Sequence, residues 1–471
     1  MWWAGWYGGI NTATYSLVSA DLMSALGVGT VGLLATAVIC VCGADLVRSA
    51  VRPRAGALAI SVAACANLYS GRITFAAGMA TALMSFCLLR RDRRLLAAAS
   101  ALVTGFISPL AALCLLLGLA ALLVSGDRRV ASVVGLMAAS LLPVAIVSII
   151  FGQPSYMPFS ADYCAFALLT CGTVALAPVP RVVRAMALLS ALVALGAGII
   201  HSPIGSNAAR MPMLAAAPVV IATARRGETY VRALSASLVI WPLLNFSSEM
   251  AIAAQPSAQP TYYGALLAHL PATGRAVQRV EVLDPASHGA TFYLSTQVPL
   301  ARGWERQVDA AINPIFYSGK LTAHTYRGWL VAHAVGWVAV PSASLDYSAV
   351  REKQLIASGL PYLRLTWTNR DWQLYRVTSA APAASGVLRA TSLREAEVDL
   401  VSSAAGQGKI QVPYSRLLTI RSTVDPTVVG CVSRGPNGDV VAAVPEAGPY
   451  VLHAEAASLT KSCPEPSQVP P

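Results

Sequence analysis

Charge is what this sequence has least of. Only 12% of its 471 residues are Asp, Glu, Lys or Arg, about half the share a soluble domain carries. That is too little to coat one water-soluble globule of this length, which excludes an ordinary cytosolic enzyme. Lysine is missing altogether from residues 1–250, which hold 16 arginines and 7 acids. There is no HExxH, no CxxC, no Walker loop and no GxSxG. The six histidines (His201, His269, His288, His324, His333 and His453) stand singly, none with a partner at metal-ligand spacing. They read as surface or capping residues, and no metal site is expected. No period of 20–50 residues repeats, which argues against a solenoid or propeller.

What is present is apolar. The hydrophobic fraction is 55% and the mean hydropathy is +0.58, which excludes disorder, since disorder needs low hydrophobicity and high charge. The reading is a membrane protein. The net charge of +12 is topological: the arginines of residues 1–250 fall in short clusters between apolar stretches, as the positive-inside rule produces. No nucleic-acid partner is expected.

The chain has two halves of different chemistry. Charged residues occupy 23 of the first 250 positions and 33 of the last 221, and the change falls near Glu249. The expected domains are a polytopic transmembrane domain over 1–250, an exported α/β domain over 251–380 and an exported β-sandwich-like domain over 381–471.

A bilayer core takes about 20 mostly apolar residues per helix. Eight stretches qualify as spans: Gly27–Ala44, Ala55–Tyr69, Ile73–Leu89, Val130–Phe151, Ala161–Val179, Ala185–Ile200, Met211–Ala224 and Val231–Phe246. Leu95–Ser125 lies between two basic clusters, Arg90–Arg94 and Asp127–Arg129, so the chain should return to the side it left. Ser108-Pro109 near its middle breaks a helix, which predicts a short helical hairpin. The loops at 48–54, 90–94, 127–129, 181–184 and 225–232 then fall inside. Those near Arg72, 152–162 and 202–210 fall outside with the C-terminal half. The N-terminus also falls outside. Its MWWAGWYGGINTATYS start, with no basic residue to retain it, points to a missing upstream helix or to a short uncharged tail that crosses by itself.

Beyond residue 275 the pattern is that of a soluble domain. Val280–Leu283, Trp337–Val340, Leu363–Trp367 and Gln373–Val377 read as strands. Ala323–Ala334 and Ala349–Ser358 read as amphipathic helices, with His324 and Tyr326 on the polar face. From about Gly386 short strands follow one another between turn residues, the pattern of a β-sandwich. Seven of nine cysteines lie in or beside spans, where Cys behaves as a small hydrophobe. Cys431 and Cys463 are alone in the exported half, and an oxidising exterior favours their pairing. A loop of about 30 residues would stabilise by roughly 3–4 kcal/mol.

Arginine on the outer side runs against the charge pattern. Arg72, and Arg210 with Asn207 beside it, are read as lining a site for a lipid-linked phosphate, because a guanidinium makes paired hydrogen bonds to phosphate. The alternative is headgroup snorkelling or capping. Asp21 reads as a general base at that face or as an ordinary helix cap.

The layout resembles the integral-membrane glycosyltransferases of the GT-C class, and more closely a group of actinobacterial polytopic proteins related to them. The resemblance covers most of the chain and rests on the order of several motifs. These are Trp6-Tyr7-Gly8-Gly9 with Thr14-Tyr15-Ser16 and Leu26-Gly27, then Gly71-Arg72-Ile73-Thr74-Phe75, Ser108-Pro109, Pro203–Arg210 and Trp304–Tyr317 (WERQVDAAINPIFY). It implies transfer of a sugar from a polyprenyl-phosphate donor to a cell-envelope glycan acceptor at the outer face. The family's catalytic acid lies in the first external loop. Asp21 falls later than that position and is the candidate this sequence offers. The alternative is a non-catalytic membrane protein whose exported domain binds carbohydrate or an envelope partner. A secondary transporter fits less well, since no paired broken helices recur in matching halves.

Overall fold

The computed structural model describes residues 6–7, 10–11, 16–152, 155–272, 277–303, 305–394 and 396–455. The chain divides into two compact units, Ala13–Ala251 and Ile252–Pro471, with Trp2–Thr12 grouping with the second. The first is helical: α1 (Ser19–Leu26), α2 (Val28–Val47), α3 (Pro53–Tyr69), α4 (Ile73–Arg90), α5 (Arg94–Ile107), α6 (Pro109–Val124), α7 (Val130–Phe151), α8 (Ala161–Leu176), α9 (Arg181–Ile199), α10 (Arg210–Thr223) and α11 (Glu228–Ala253). Among the described residues five helices are long and apolar enough to cross a membrane: α2, α4, α7 over Val130–Ile150, α9 and α11.

α5 and α6 form the hairpin that the two basic clusters demanded. Ser108 is extended (φ −154°, ψ 113°) and its hydroxyl caps α6 by accepting from the Ala111 amide, while Pro109 opens α6 at the position where its missing N–H costs nothing. Ala97 and Ala101 of α5 meet Leu115 and Leu119 of α6 against Leu89, Val133 and Leu136. The hairpin tip rests on Gly78 of α4. A Cβ there would come within 2.6 Å of the Ala111 Cβ and 2.8 Å of the Ser108 Cβ, so only glycine admits the tip.

An α-helix ends in carbonyls with no intrahelical partner, and in apolar surroundings each is costly. At one end of this bundle arginines supply the donors. Arg90 donates to the carbonyls of Asp45 and Leu46 at the end of α2, 2.9 Å each. Arg129 reaches Leu89 at the end of α4 (3.1 Å), and Arg184 reaches Ala175 near the end of α8 (3.0 Å). Arg52 forks onto Ala224 (2.8 Å) and Arg226 (2.5 Å) past the end of α10, while the Arg225 amide donates to Pro178 (2.9 Å). These bonds gather the five basic loops at one end of the helical unit. A planar guanidinium with five donors can serve two carbonyls at once, which an ammonium on a flexible stem does less well. That is a physical reason for arginine without lysine.

The second unit is sheet-rich. A two-residue ladder pairs β1 (Trp6–Tyr7) with β2 (Ile10–Asn11). A mixed sheet has the order β3 (Arg279–Val282), β4 (Val335–Pro341), β6 (Trp372–Val377), β5 (Leu363–Thr368), with β3 parallel to β4 and the other pairs antiparallel. Both faces are covered over β3 and β4. Tyr326, Trp329, Leu330, Ala349 and Ile356 pack on Val338 and Val340. Tyr262, Tyr263, Leu266, Ala290 and Leu294 pack on Val280, Val282, Ala339 and Trp372. The helices are α12 (Gly264–Leu267), α13 (Gly289–Leu294), α14 (Arg306–Ile312), α15 (Ala323–Ala332) and α16 (Tyr347–Ala357). Tyr326 is fully buried, so its expected place on a polar face is corrected: α15 turns it toward the sheet, where its hydroxyl finds a carboxylate.

Two antiparallel four-stranded sheets follow. One has the order β12 (Cys431–Arg434), β13 (Asp439–Val444), β10 (Gly406–Pro413), β7 (Ala384–Gly386). The other runs β11 (Leu418–Ser422), β14 (Gly448–Ala454), β9 (Glu397–Ser402), β8 (Leu388–Leu393). Their inward residues, among them Leu400, Ile410, Ile420, Val440, Tyr450 and Leu452, share one core. Cys40, Cys42, Cys65, Cys87, Cys114, Cys164 and Cys171 are free thiols, whereas Cys431 is disulfide-bonded. Cys463, its expected partner, lies outside the described residues. Non-reducing mass spectrometry of the intact chain should recover the Cys431 and Cys463 peptides joined; recovery of both as free thiols would rule the pairing out.

Candidate functional site

The end of the helical unit away from the basic loops holds the residues singled out in the sequence. α4 runs from Arg90 at the basic end to Ile73, about 26 Å along its axis. Arg72 is the N-cap residue of α4, and the guanidinium of Arg210, the first residue of α10, lies 5.3 Å from the ring centroid of Phe75 in the first turn of α4. Two arginines 138 positions apart in sequence are thus brought to the first turn of one helix, whose N-terminus adds partial positive charge. Phe75 itself packs with Ala111 and Cys114 of the hairpin and with Met211 and Leu214 of α10.

Asn207 sits in the 3-10 turn Gly205–Ala209, where its carbonyl accepts from the Arg210 amide. The turn is tightly built: a Cβ on Gly205 (φ +40°) would fall 1.9 Å from the Met157 carbonyl oxygen. Asp21 lies in the first turn of α1, the position where a carboxylate suits the helix dipole. The start of α1 is tied to the hairpin by the Leu17 amide donating to Phe106 (3.3 Å) and the Ser19 hydroxyl donating to Ile107 (3.3 Å).

Arg72 has a partner that the sequence did not disclose. Its guanidinium forks onto Glu249 near the end of α11, with Nη1 to Oε2 at 3.1 Å and Nη2 paired to Oε1. Nη1 also donates to the Ser70 hydroxyl at 3.0 Å. Asn67 is buried beside it; its Nδ2 reaches the Arg72 carbonyl at 3.5 Å, and its Oδ1 has no hydrogen-bond partner.

A second constellation lies in the sheet-rich unit. Arg302, buried, donates to three carboxylates: Nε to Glu281 (2.8 Å), Nη1 to Asp309 (3.3 Å) and Nη2 to Glu352 (3.1 Å). Its Cζ lies 3.7 Å from the Phe316 ring centroid. Tyr326 donates to Glu352 (2.7 Å) and Tyr317 to Asp309 (2.5 Å), and the Asn313 amide donates to Asp309 (2.8 Å). Next to it Arg306 forks onto Asp346 (2.8 and 2.7 Å). His288 Nδ1 is 2.5 Å from Asp284 and its Nε2 is 3.9 Å from Asp346. Asp284 and Asp346 stand just past the carboxyl ends of parallel β3 and β4, where open α/β sheets place ligands. The cavity there measures about 10 Å³, room for one water and not for a sugar.

Carboxylates outnumber the two guanidiniums here. Burial pushes Glu281 well above the ordinary carboxylate range, against the pull of Arg302 and with the push of Glu352, and burial likewise raises Glu352. Burial acts on Asp346 too, but the fork from Arg306 and the bonds from Ser348 hold it well below that range. The arrangement can retain protons and one water. It offers no nucleophile facing the His288 ring among the bonds just described.

The sequence motif WERQVDAAINPIFY supplies Arg306, Asp309, Asn313, Phe316 and Tyr317 to this cluster. Glu281 was not recognised because Arg279–Val282 alternates like a strand with one wet face. Both faces of β3 are covered, so the strand's polar position is buried with the rest.

Removing one member of a buried ion network strands the others, at about 3–5 kcal/mol. The exchange R302M should therefore accelerate hydrogen–deuterium exchange of the β3 and β4 peptides in the intact chain; unchanged protection would show the network to be dispensable. Glu281 and Glu352, raised in the folded state, contribute stability that is present below their unfolded values and lost as pH climbs through the folded ones. Protection of β3 and β4 should fall as pH rises above the carboxylate range, and E281Q should flatten that slope. Comparison with models of protein families, with curated proteins and with solved structures returned no match for this chain.

Proposed function

We propose that this chain is a multi-pass protein of the cell membrane, a GT-C-like glycosyltransferase or relative that receives a polyprenyl-phosphate-linked sugar at its outer face for a cell-envelope glycan acceptor. In this reading eight helices cross the bilayer beside the α5–α6 hairpin, the five basic loops are cytoplasmic, and residues 251–471 are extracytoplasmic. The observation that carries it is the convergence of Arg72 and Arg210 on the first turn of α4, at the end opposite the stitched basic loops. Two guanidiniums and a helix N-terminus form a cationic surface suited to a phosphate headgroup. The apolar exterior of the helices, including exposed Leu33, Leu34, Leu58 and Val62, suits a polyprenyl chain.

A second reading is favoured by one contact. Glu249 already neutralises Arg72, as expected of a non-catalytic relative whose exported domain binds carbohydrate or an envelope partner. Asp21 carries the acid role in the first reading and only a helix-dipole role in the second.

Topology is tested by cysteine labelling of intact cells. A reagent confined to the outside should modify a cysteine introduced at Ser385 and miss one at Asp92; equal labelling of both would sink the arrangement. Carrier binding is tested with R210Q. Loss of one charge-assisted hydrogen bond, roughly 1.5–3 kcal/mol, should weaken polyprenyl-phosphate affinity about ten- to a hundredfold without lowering the amount of folded protein. Unchanged affinity would leave Arg210 an interfacial anchor.

A further inference from the structure

We propose that the Arg72–Glu249 ion pair is a latch on the phosphate site: the Glu249 carboxylate occupies the face of the Arg72 guanidinium that a polyprenyl phosphate takes, and the carrier binds by displacing it. The inference rests on the carrier reading above and adds how that site is regulated.

The geometry supplies the competition. A carboxylate and a phosphate both offer two oxygens to the guanidinium fork, and Glu249 uses both of its oxygens, Oε2 at 3.1 Å from Nη1 and Oε1 on Nη2. The pair is also reachable. The Arg72 and Glu249 side chains are 25% and 23% exposed, whereas the Arg302 fork in the sheet-rich unit is 5% exposed with two of its carboxylates at 0%. The first has the access of an exchangeable contact and the second the enclosure of a permanent one.

Position on the helix points the same way. Glu249 lies four residues before Ala253, the last residue of α11, where unpaired carbonyls disfavour a negative side chain. Its placement there is offset by Arg72 and is weak without it, so a better-matched anion on Arg72 leaves Glu249 with little to hold it. The surroundings accommodate an incoming oxyanion. Arg210 adds a second cation at the first turn of α4, and the Ser70 hydroxyl, 3.0 Å from Arg72 Nη1, has a proton it can donate to an anion.

A site that is competent only when the latch is open binds more weakly by the open fraction. A latch closed in roughly nine molecules of ten lowers apparent affinity about tenfold. The experiment is equilibrium binding of polyprenyl monophosphate to the full chain in lipid nanodiscs at fixed ionic strength. The variants are E249Q, R72Q, R210Q and the charge swap R72E/E249R. E249Q should tighten binding about tenfold and R72Q should weaken it. The swap, which restores an ion pair, should keep the folded yield and still bind weakly.

If R72Q and R210Q weaken binding while E249Q leaves it unchanged, the latch is overturned and the carrier site stands. If none of the variants changes affinity, the carrier reading falls and the latch with it. Should E249Q not yield folded protein, E249D, which withdraws the carboxylate by one methylene, should give a smaller tightening; no tightening overturns the proposal. Inorganic phosphate and phosphatidylglycerol serve as competitors. Displacement of the polyprenyl lipid by inorganic phosphate at equal concentration would assign the site to free phosphate, and by phosphatidylglycerol to bulk lipid. Either result overturns the carrier as the latch's ligand.

Discussion

Helix ends in an apolar environment must find donors for their last carbonyls, and the helical unit is organised around how it meets that demand. Arg52 and Arg129 precede helices, Arg90 ends α4 and Arg184 lies in the first turn of α9, and each donates to carbonyls near or just past the end of a neighbouring helix. One residue type therefore closes the helix ends, ties the loops together and keeps the basic charge at a single end. The hairpin follows from the same demand: Arg129 can reach Leu89 only if the chain between them turns back, and Ser108-Pro109 with the open surface of Gly78 lets it do so.

With basic charge gathered at one end, the two arginines at the other are set apart by their environment. Arg72 and Arg210 are held at the start of α4 by an ion pair and a ring contact, whereas the arginines at the basic end donate to helix-end carbonyls. The sheet-rich unit solves a different problem. Arg302 is enclosed, and three carboxylates, two tyrosines and an asparagine complete its surroundings. A buried network of this kind contributes less to stability than its bonds suggest, but it punishes the loss of any one member. Arg302 therefore fixes the packing of α14, α15 and α16 on the sheet, while Arg72 is open to exchange.

Much of this was legible in the sequence because its cause is local. Apolar runs end at Pro, Gly or arginine clusters, and the helices over Val28–Val47, Ile73–Arg90 and Val130–Phe151 follow the runs closely. The strands of the sandwich appear where β-branched residues alternate between turns, except Ala384–Gly386, which is Ala-Ser-Gly, and Leu388–Leu393, whose only β-branched residue is Thr391. A polar atom in a periodic pattern reads as solvent-facing, yet Tyr326 and Glu281 are both fully buried, Tyr326 because α15 packs on the sheet and Glu281 because Arg302 covers it.

The apolar character of the first half, the hairpin, the position of the compositional break and the segregation of arginine into five clusters are local properties of the chain. Hydropathy, proline and short charge clusters act over a few residues, and their consequences are written where they occur. That Arg72 meets Glu249, 177 residues away, that Arg210 comes to Phe75, and that Glu281 and Glu352 share Arg302 follow only from the packed fold. Which charges pair across such separations depends on which helix faces and strand edges pack together, and that is settled by the whole set of contacts rather than by any one segment.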